Sequence, residues 1–212
     1  MEVRSFTVGP LSENTYLLRA DGSSTAVMVD PGDEAPRLLA ALDELGVGLE
    51  AILLTHTHID HVGAVAPVAR ATGARVHCPE AEAFVLADIK AWTPLGFPPA
   101  EPYDAEETVS GGERLELAGL EIDVIFTPGH SPGHVSYSIA DEQALFSGDV
   151  LFQQSVGRTD LPGGDAATLM RSIAHLLETL PDETQVHPGH MGITTLGRER
   201  VNNPFLAQFA GR

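Results

Sequence analysis

Residues 52 to 65, ILLTHTHIDHVGAV, run from an apolar strand straight into a loop that holds His56, His58, Asp60 and His61 within six positions. Only 9 of the 212 residues are histidine, so the crowding needs a cause. Side chains alternate along an extended segment, which puts His56 and His58 on one side. Asp60 and His61 follow at the mouth of a helix that the pattern VGAVAPVARAT starts near Val62 and ends near Gly73. All four sit at the carboxyl end of a strand, where open α/β sheets place their ligands. In a core, each imidazole and carboxylate would need its own partner. A divalent cation of borderline softness is one partner for all of them. An exposed histidine-rich loop is the alternative on this stretch alone.

Three other places follow the same grammar. FTPGHSPGH puts His130 just past an apolar strand, in a turn forced by Pro128 and Gly129. ALFSGD ends a strand at Asp149, and VHPGH repeats the strand-Pro-Gly-His device at His190. His56, His58, Asp60, His61, His130, Asp149 and His190 make seven potential ligands, each at a strand end. Seven exceed one tetrahedral zinc and suit two adjacent cations sharing a bridging carboxylate and water.

The rest of the chain frames this constellation. EVRSFTV, NTYLLRA and TAVMVDPG read as strands, residues 34–45 as a helix stopped by Gly46, ARVHCP as a strand and residues 80–92 as one helix. Residues 93–112, rich in Pro, Gly and acid, read as a long surface loop able to cover a site. Hairpins follow, turning at Gly119 and at Asp141–Glu142, then a helix over about 165–179, a strand TQVHP and a helix near 197–202. Two groups of strands with helices outside them predict a single α/β domain over residues 1–212.

Composition narrows the partners. With 12 basic and 30 acidic side chains the formal charge is −18, which repels a phosphate backbone and an anionic membrane surface. The start MEVRSFTVGP alternates like a strand and has no basic segment leading an apolar one, as a signal peptide would. Cys78 is the only cysteine, so an intrachain disulfide is ruled out and a reducing cytoplasm fits. Its strand-like setting predicts a buried structural thiol. His77, His175 and His187 read as core or surface histidines, and His134 as a structural neighbour of the site.

THTHIDH resembles the T-H-x-H-x-D-H signature of the metallo-β-lactamase superfamily, and PGHSPGH, SGD and PGH follow in that superfamily's order and spacing. Through LFSGDVLFQQSVGRTDLPGGD and TTLGRERVNNPFL the chain is similar to type II glyoxalases (hydroxyacylglutathione hydrolases), in particular their short bacterial and archaeal-type relatives. The resemblance implies a four-layer αβ/βα sandwich. It implies one cation on His56, His58 and His130, a second on Asp60, His61 and His190, and Asp149 bridging them, with Asp60 and Asp149 catalytic as well as ligating. Asp30, in VMVDPG, matches an aspartate that orients a ligand imidazole; its other reading is a turn-former before Pro-Gly. Zinc, iron and manganese all suit five imidazoles and two carboxylates, zinc first.

The implied activity is hydrolysis of a small-molecule thioester, S-D-lactoylglutathione or a related hydroxyacyl thioester, by a metal-bridging hydroxide. A thiolate leaves without a dedicated acid. The long glyoxalase form adds a C-terminal helical glutathione-binding domain, which this sequence is not expected to carry. Arg158 falls where that form has a basic glutathione contact, while Asp160 and Leu161 replace an aromatic residue. A mononuclear-iron persulfide dioxygenase on His56, His130 and Asp149, whose relatives share GRTD, and a lactonase on the same two-metal site are the alternatives. Classical β-lactamases lack a counterpart of Asp149, so β-lactam hydrolysis is not expected.

Overall fold

The computed structural model describes residues 1–209, so the end of the predicted 1–212 domain, residues 210–212, lies outside the described residues. The first half contains β1 (Glu2–Val8), β2 (Glu13–Arg19), β3 (Thr25–Val29), α1 (Ala35–Leu45), β4 (Gly48–Leu53), α2 (Ile59–Val62), α3 (Val65–Thr72), β5 (Arg75–Pro79), α4 (Ala83–Ala87), α5 (Ile89–Trp92) and β6 (Glu107–Val109). The second contains β7 (Arg114–Leu117), β8 (Leu120–Phe126), β9 (Val135–Ile139), β10 (Ala144–Gly148), β11 (Leu151–Phe152), β12 (Ser155–Val156), α6 (Ala166–Thr179), β13 (Gln185–Pro188), β14 (Thr194–Thr195) and α7 (Leu196–Asn202). One sheet has the order β1-β2-β3-β4-β5-β6, the other β14-β13-β10-β9-β8-β7, and β11 and β12 form a small hairpin.

The central strands are apolar on both faces because each face meets a different layer. In β2, Leu17 packs towards α1 and α3 while Tyr16 and Leu18 face the second sheet; in β3, Met28 and Val29 divide in the same way. In β10, Phe146 joins the core between the sheets, whereas Leu145 packs under α6 with Leu169, Ile173 and Leu176. Three apolar cores therefore separate four layers, helix-sheet-sheet-helix, the α/β sandwich that the sequence implied. Cys78 is buried, its thiol pushed up by desolvation. His187 stacks on Phe146 at 4.8 Å, a core histidine whose pKa burial lowers to about 4.

Helix ends follow local chemistry. Gly46 closes α1 in the left-handed region, φ 63°, with its N–H on the Asp43 and Leu42 carbonyls. Asp165 caps α6 by accepting from the Thr168 N–H at 2.7 Å.

Three expected elements differ. The single helix over 80–92 is instead a 3₁₀ turn, α4 and α5, broken at Asp88. The cause is tertiary: the Leu86 carbonyl accepts from the Tyr103 N–H at 3.2 Å, a bond brought in by the returning chain. That return, residues 93–112, is not all loop, because β6 adds to the sheet parallel to β5. Backbone pairing, the buried Val109 and the Arg75–Glu107 ion pair hold this edge strand, so no apolar alternation marks it. The helix predicted from Val62 is two, α2 and α3, parted at Gly63 and Ala64. Among the described residues no helix is long and apolar enough to cross a membrane.

Candidate metal centre

Parallel pairing sets the site. β3 and β4 run parallel in the first sheet, β10 and β13 in the second, and β8 runs the same way as β10 because β9 is antiparallel to both. Their carboxyl ends release Asp30, the His56–His61 loop, His130, Asp149 and His190 onto one rim. Hydrogen bonds stitch the two sheets together there. The Val135 N–H donates to the Thr55 carbonyl at 2.9 Å, the Tyr137 hydroxyl to the Leu54 carbonyl at 2.8 Å and the Asn14 N–H to the Gly189 carbonyl at 2.8 Å.

Two sets of side chains meet at this seam. The ligand atoms of His56, His58 and His130 lie within 4.8 Å of one another, and so do those of Asp60, His61 and His190. Asp149 stands between the sets: Oδ2 is 3.5 Å from His130 Nε2 and 3.6 Å from His190 Nε2, and Oδ1 is 3.4 Å from His61 Nε2. His190 Nε2 is 3.2 Å from Asp60 Oδ2. Ligands bound tetrahedrally at about 2.0–2.1 Å from a cation stand roughly 3.3 Å apart, so these spacings fit. The buried atoms His56 Nε2, His61 Nε2 and Asp149 Oδ1 have no hydrogen-bond partner among the described residues. Buried polar atoms are ordinarily paired, and one cation on each set would satisfy them.

A third grouping, Asp30, His56 and His61, is equally tight. It is not a ligand set, because Asp30 is spent. Its Oδ1 accepts from the Thr55 N–H at 2.7 Å, and its Oδ2 from the Thr55 hydroxyl at 2.6 Å and His61 Nδ1 at 2.9 Å. Holding Nδ1–H in this way aims His61 Nε2 at Asp149. Asp30 has φ 47°, so it is both the turn residue before Pro31 and the orienter of His61. Changing Asp30 to Asn should weaken binding of the second cation equivalent by about 10- to 100-fold and spare the first. Stepwise titration against a chelator checks this.

The other imidazoles are oriented too. His130 Nδ1 donates to the Arg158 carbonyl at 2.8 Å, which turns Nε2 into the site. His134 Nε2 accepts from the Asp149 N–H at 3.1 Å, and its Nδ1 faces the Thr127 hydroxyl at 3.0 Å. It supports the Asp149 backbone from below and is no ligand. Gly189 leaves room at the centre, since a Cβ there would meet Asp149 Oδ1 at 2.4 Å.

Burial shapes the charge states. It pushes His56 well below its ordinary value and His58 down to about 4, helped in each case by neighbouring imidazoles, and it lowers His130. Neutral imidazole is the ligating form. Burial would also lower His61, but the Asp149 and Asp60 carboxylates outweigh it and raise that pKa. For Asp149 burial acts upwards, and the surrounding His61, His130 and His190 reverse it and hold the carboxyl well below the usual range. Behind His61 the Glu13 carboxyl is pushed well above that range by burial.

Sequence reasoning did not find Glu82. This buried carboxylate accepts from the Thr57 N–H at 2.8 Å and the Thr57 hydroxyl at 2.9 Å on one oxygen, and from the Gly133 N–H at 2.8 Å and the Ser131 hydroxyl on the other. It ties the His56–His58 loop to the His130 loop. A Glu just past the end of β5 is the only signal in the sequence. The Arg158 side chain, 61% exposed, is gripped by both Asp160 oxygens at 2.7 Å, so its contact with the centre is made through its carbonyl. A cavity of about 670 Å³ opens over the seam, lined among others by Arg158, Leu161, Phe152 and Ser155.

The family model for the metallo-β-lactamase superfamily matches residues 8–190. The probable metallo-hydrolase YqgX of Bacillus subtilis is 38% identical over 99% of this chain and 100% of its own. The hydroxyacylglutathione hydrolase GloC of Haemophilus influenzae is 36% identical over 97% of this chain and 98% of its own. Among solved structures, BLEG-1 B3 metallo-β-lactamase superimposes with a TM-score of 0.91 at 39% identity over 97% of this chain and 100% of its own. TTHA1623 in a di-iron-bound form gives 0.80 at 42% identity over 96% and 100%. Fold, converging ligand atoms and these matches agree: the chain belongs to the metallo-β-lactamase superfamily.

Proposed function

We propose that the protein is a metal-dependent thioester hydrolase of the glyoxalase II type, acting on S-D-lactoylglutathione or a related hydroxyacyl thioester. The observation that carries this reading is the place of Asp149, whose Oδ2 lies about equally far from His130 and His190, at 3.5 and 3.6 Å. With a carboxylate so placed, His56, His58, His130 and Asp149 would hold one cation, and Asp60, His61, His190 and Asp149 a second. When bound, the two cations supply an acidified nucleophilic water and a Lewis-acid contact for the carbonyl oxygen. The chain's own groups fix the geometry: Asp30 and the Arg158 carbonyl hold the His61 and His130 rings, and Glu82 locks the two loops.

The cavity over the seam favours thioesters. Its carboxyl groups are Asp60 and Asp149, and among the described residues no Lys, Tyr or Cys lines it. Its imidazoles, His58, His130 and His190, belong to the two ligand sets. A poor leaving group such as an amine or alkoxide would otherwise meet only Ser12, Ser155 and Arg158, which keep their protons at neutral pH. A thiolate, with a thiol pKa of about 8.5, leaves unaided. In the overall change water adds across the C–S bond, its hydroxyl to the acyl carbon and its proton to the thiol. The name of the GloC relative makes the glutathione thioester the first substrate to try.

Protein reconstituted separately with zinc, iron and manganese is assayed on S-D-lactoylglutathione, with oxygen uptake on glutathione persulfide and cleavage of a β-lactam in parallel. Thioester turnover in at least one metal form, well above the other two reactions, is expected. Oxygen uptake without thioester cleavage would replace this reading with the dioxygenase one.

A further inference from the structure

Beside His58, on the side away from His190, lies a second cavity of about 360 Å³ with apolar walls: Phe84, Val85, Trp92, Pro94, Pro132 and Leu161. His58 and Leu161 also line the cavity over the seam, so the two spaces adjoin across these side chains. Phe84 and Trp92 are 61% and 49% exposed and meet edge to face at 5.6 Å. Large aromatic side chains left this open beside a reaction centre have a cost in water unless something covers them.

The cavity offers no free charge. Its one carboxylate, Glu82, has both oxygens occupied by donors from Thr57, Ser131 and Gly133. Among the described residues no Lys or Arg lines it. Arg158, the one basic chain of Lys or Arg type among the described residues in the wall of the neighbouring cavity, is paired with Asp160. An anionic peptide would find no partner in such walls, while an uncharged hydrocarbon would be desolvated by them.

We propose that this cavity is an apolar subsite that takes an uncharged aliphatic or aromatic arm of the substrate, with Phe84, Trp92 and Leu161 setting the preference. The proposal rests on the thioesterase reading for the reaction but not for the binding. At about 30 Å³ for each water-sized volume, the space holds on the order of ten non-hydrogen atoms. The break between α4 and α5 serves this surface: Leu86 and Ile89 are buried while Phe84 and Trp92 stay in the wall.

Two measurements test it. In the first, kcat/KM is taken along acetyl to octanoyl thioesters of N-acetylcysteamine, a small neutral thiol, and along lactoyl thioesters of ethanethiol to octanethiol. One series should gain about three- to fourfold per methylene until the cavity is full, and which series gains tells whether the acyl or the thiol side enters. Phe84→Asp and Leu161→Asp, both at positions with solvent access, should flatten it. In the second, emission from Trp92, the chain's single tryptophan, is followed while the uncleavable S-octyl-N-acetylcysteamine thioether is added. A saturable blue shift that is absent with glutathione and lost in Phe84→Asp is expected.

Flat profiles in both series, a gain that survives Phe84→Asp, or an unresponsive Trp92 would each overturn the proposal. A flat profile with a dimer by light scattering assigns the patch to a second copy of the chain. A saturable Trp92 response with no thioester cleaved supports the subsite and sinks the thioesterase reading alone.

Discussion

Replacing Asp149 with alanine is expected to lower thioester kcat/KM by about a thousandfold or more, roughly 4 kcal/mol of barrier, and to reduce the bound cation from two equivalents towards one. Its carboxylate is the one group within 3.6 Å of His61, His130 and His190 together, so its loss removes a ligand from both centres at once. It also takes the carboxylate away from His130 Nε2, while His61 keeps Asp30 and His190 keeps Asp60. The fold should survive, because the Asp149 backbone stays held by His134. Metal content by mass spectrometry, turnover and a thermal melt on the same sample separate these effects. Full turnover in the alanine variant would mean that the bridging carboxylate plays no part in the reaction. Asn in place of Asp keeps the shape but loses the charge, and should recover little.

A large loss of stability is expected at Gly129, which supplies no ligand atom itself. Its φ of 131° is open to glycine and strained for any residue with a Cβ. A Cβ there would stand 2.2 Å from the Leu169 backbone nitrogen and 2.4 Å from its Cα, inside the first turns of α6. Backbone of a packed helix does not move aside as a flexible side chain would. Gly129→Ala should therefore cost about 4 kcal/mol or more, lowering the melting temperature by roughly 8–16 °C for a chain of this size. The damage should spread to the centre, since Gly129 precedes His130 and its carbonyl accepts from the Asp165 N–H at 2.8 Å, beside the α6 cap. Cation affinity of the set containing His130 should fall with stability. A melt within a degree or two of the parent would show that α6 can shift without harm.

The centre was legible because its grammar is local: four strand ends, each followed within a few residues by a His or Asp, and strand ends point to one rim in a parallel arrangement. The two groups of strands, each followed by helices, announced two sheets with helices outside them. What could not be read depends on chain segments meeting from far apart. Glu82 looks like any surface glutamate in EAEAF, and only the Thr57 and Gly133 amides, 25 and 51 residues away, reveal its use. The break at Asp88 is written in Tyr103, and β6 in the free edge of β5. Arg158 was singled out for its side chain, yet its carbonyl is what touches the centre. The apolar cavity is equally non-local, assembled from α4, α5 and the loops around Pro132 and Leu161.

Each ligand set is divided between the two halves of the chain. His56 and His58 come from the first and His130 from the second; Asp60 and His61 come from the first and His190 from the second. A bound cation is therefore a cross-link between the sheets, one whose strength is set from outside by its chemical potential. Once both sets are filled, each tenfold rise in free cation adds about 1.4 kcal/mol per site against parting of the halves. On the function proposed above, the supply of free cation thus sets how long the molecule holds together, as well as how fast it turns over.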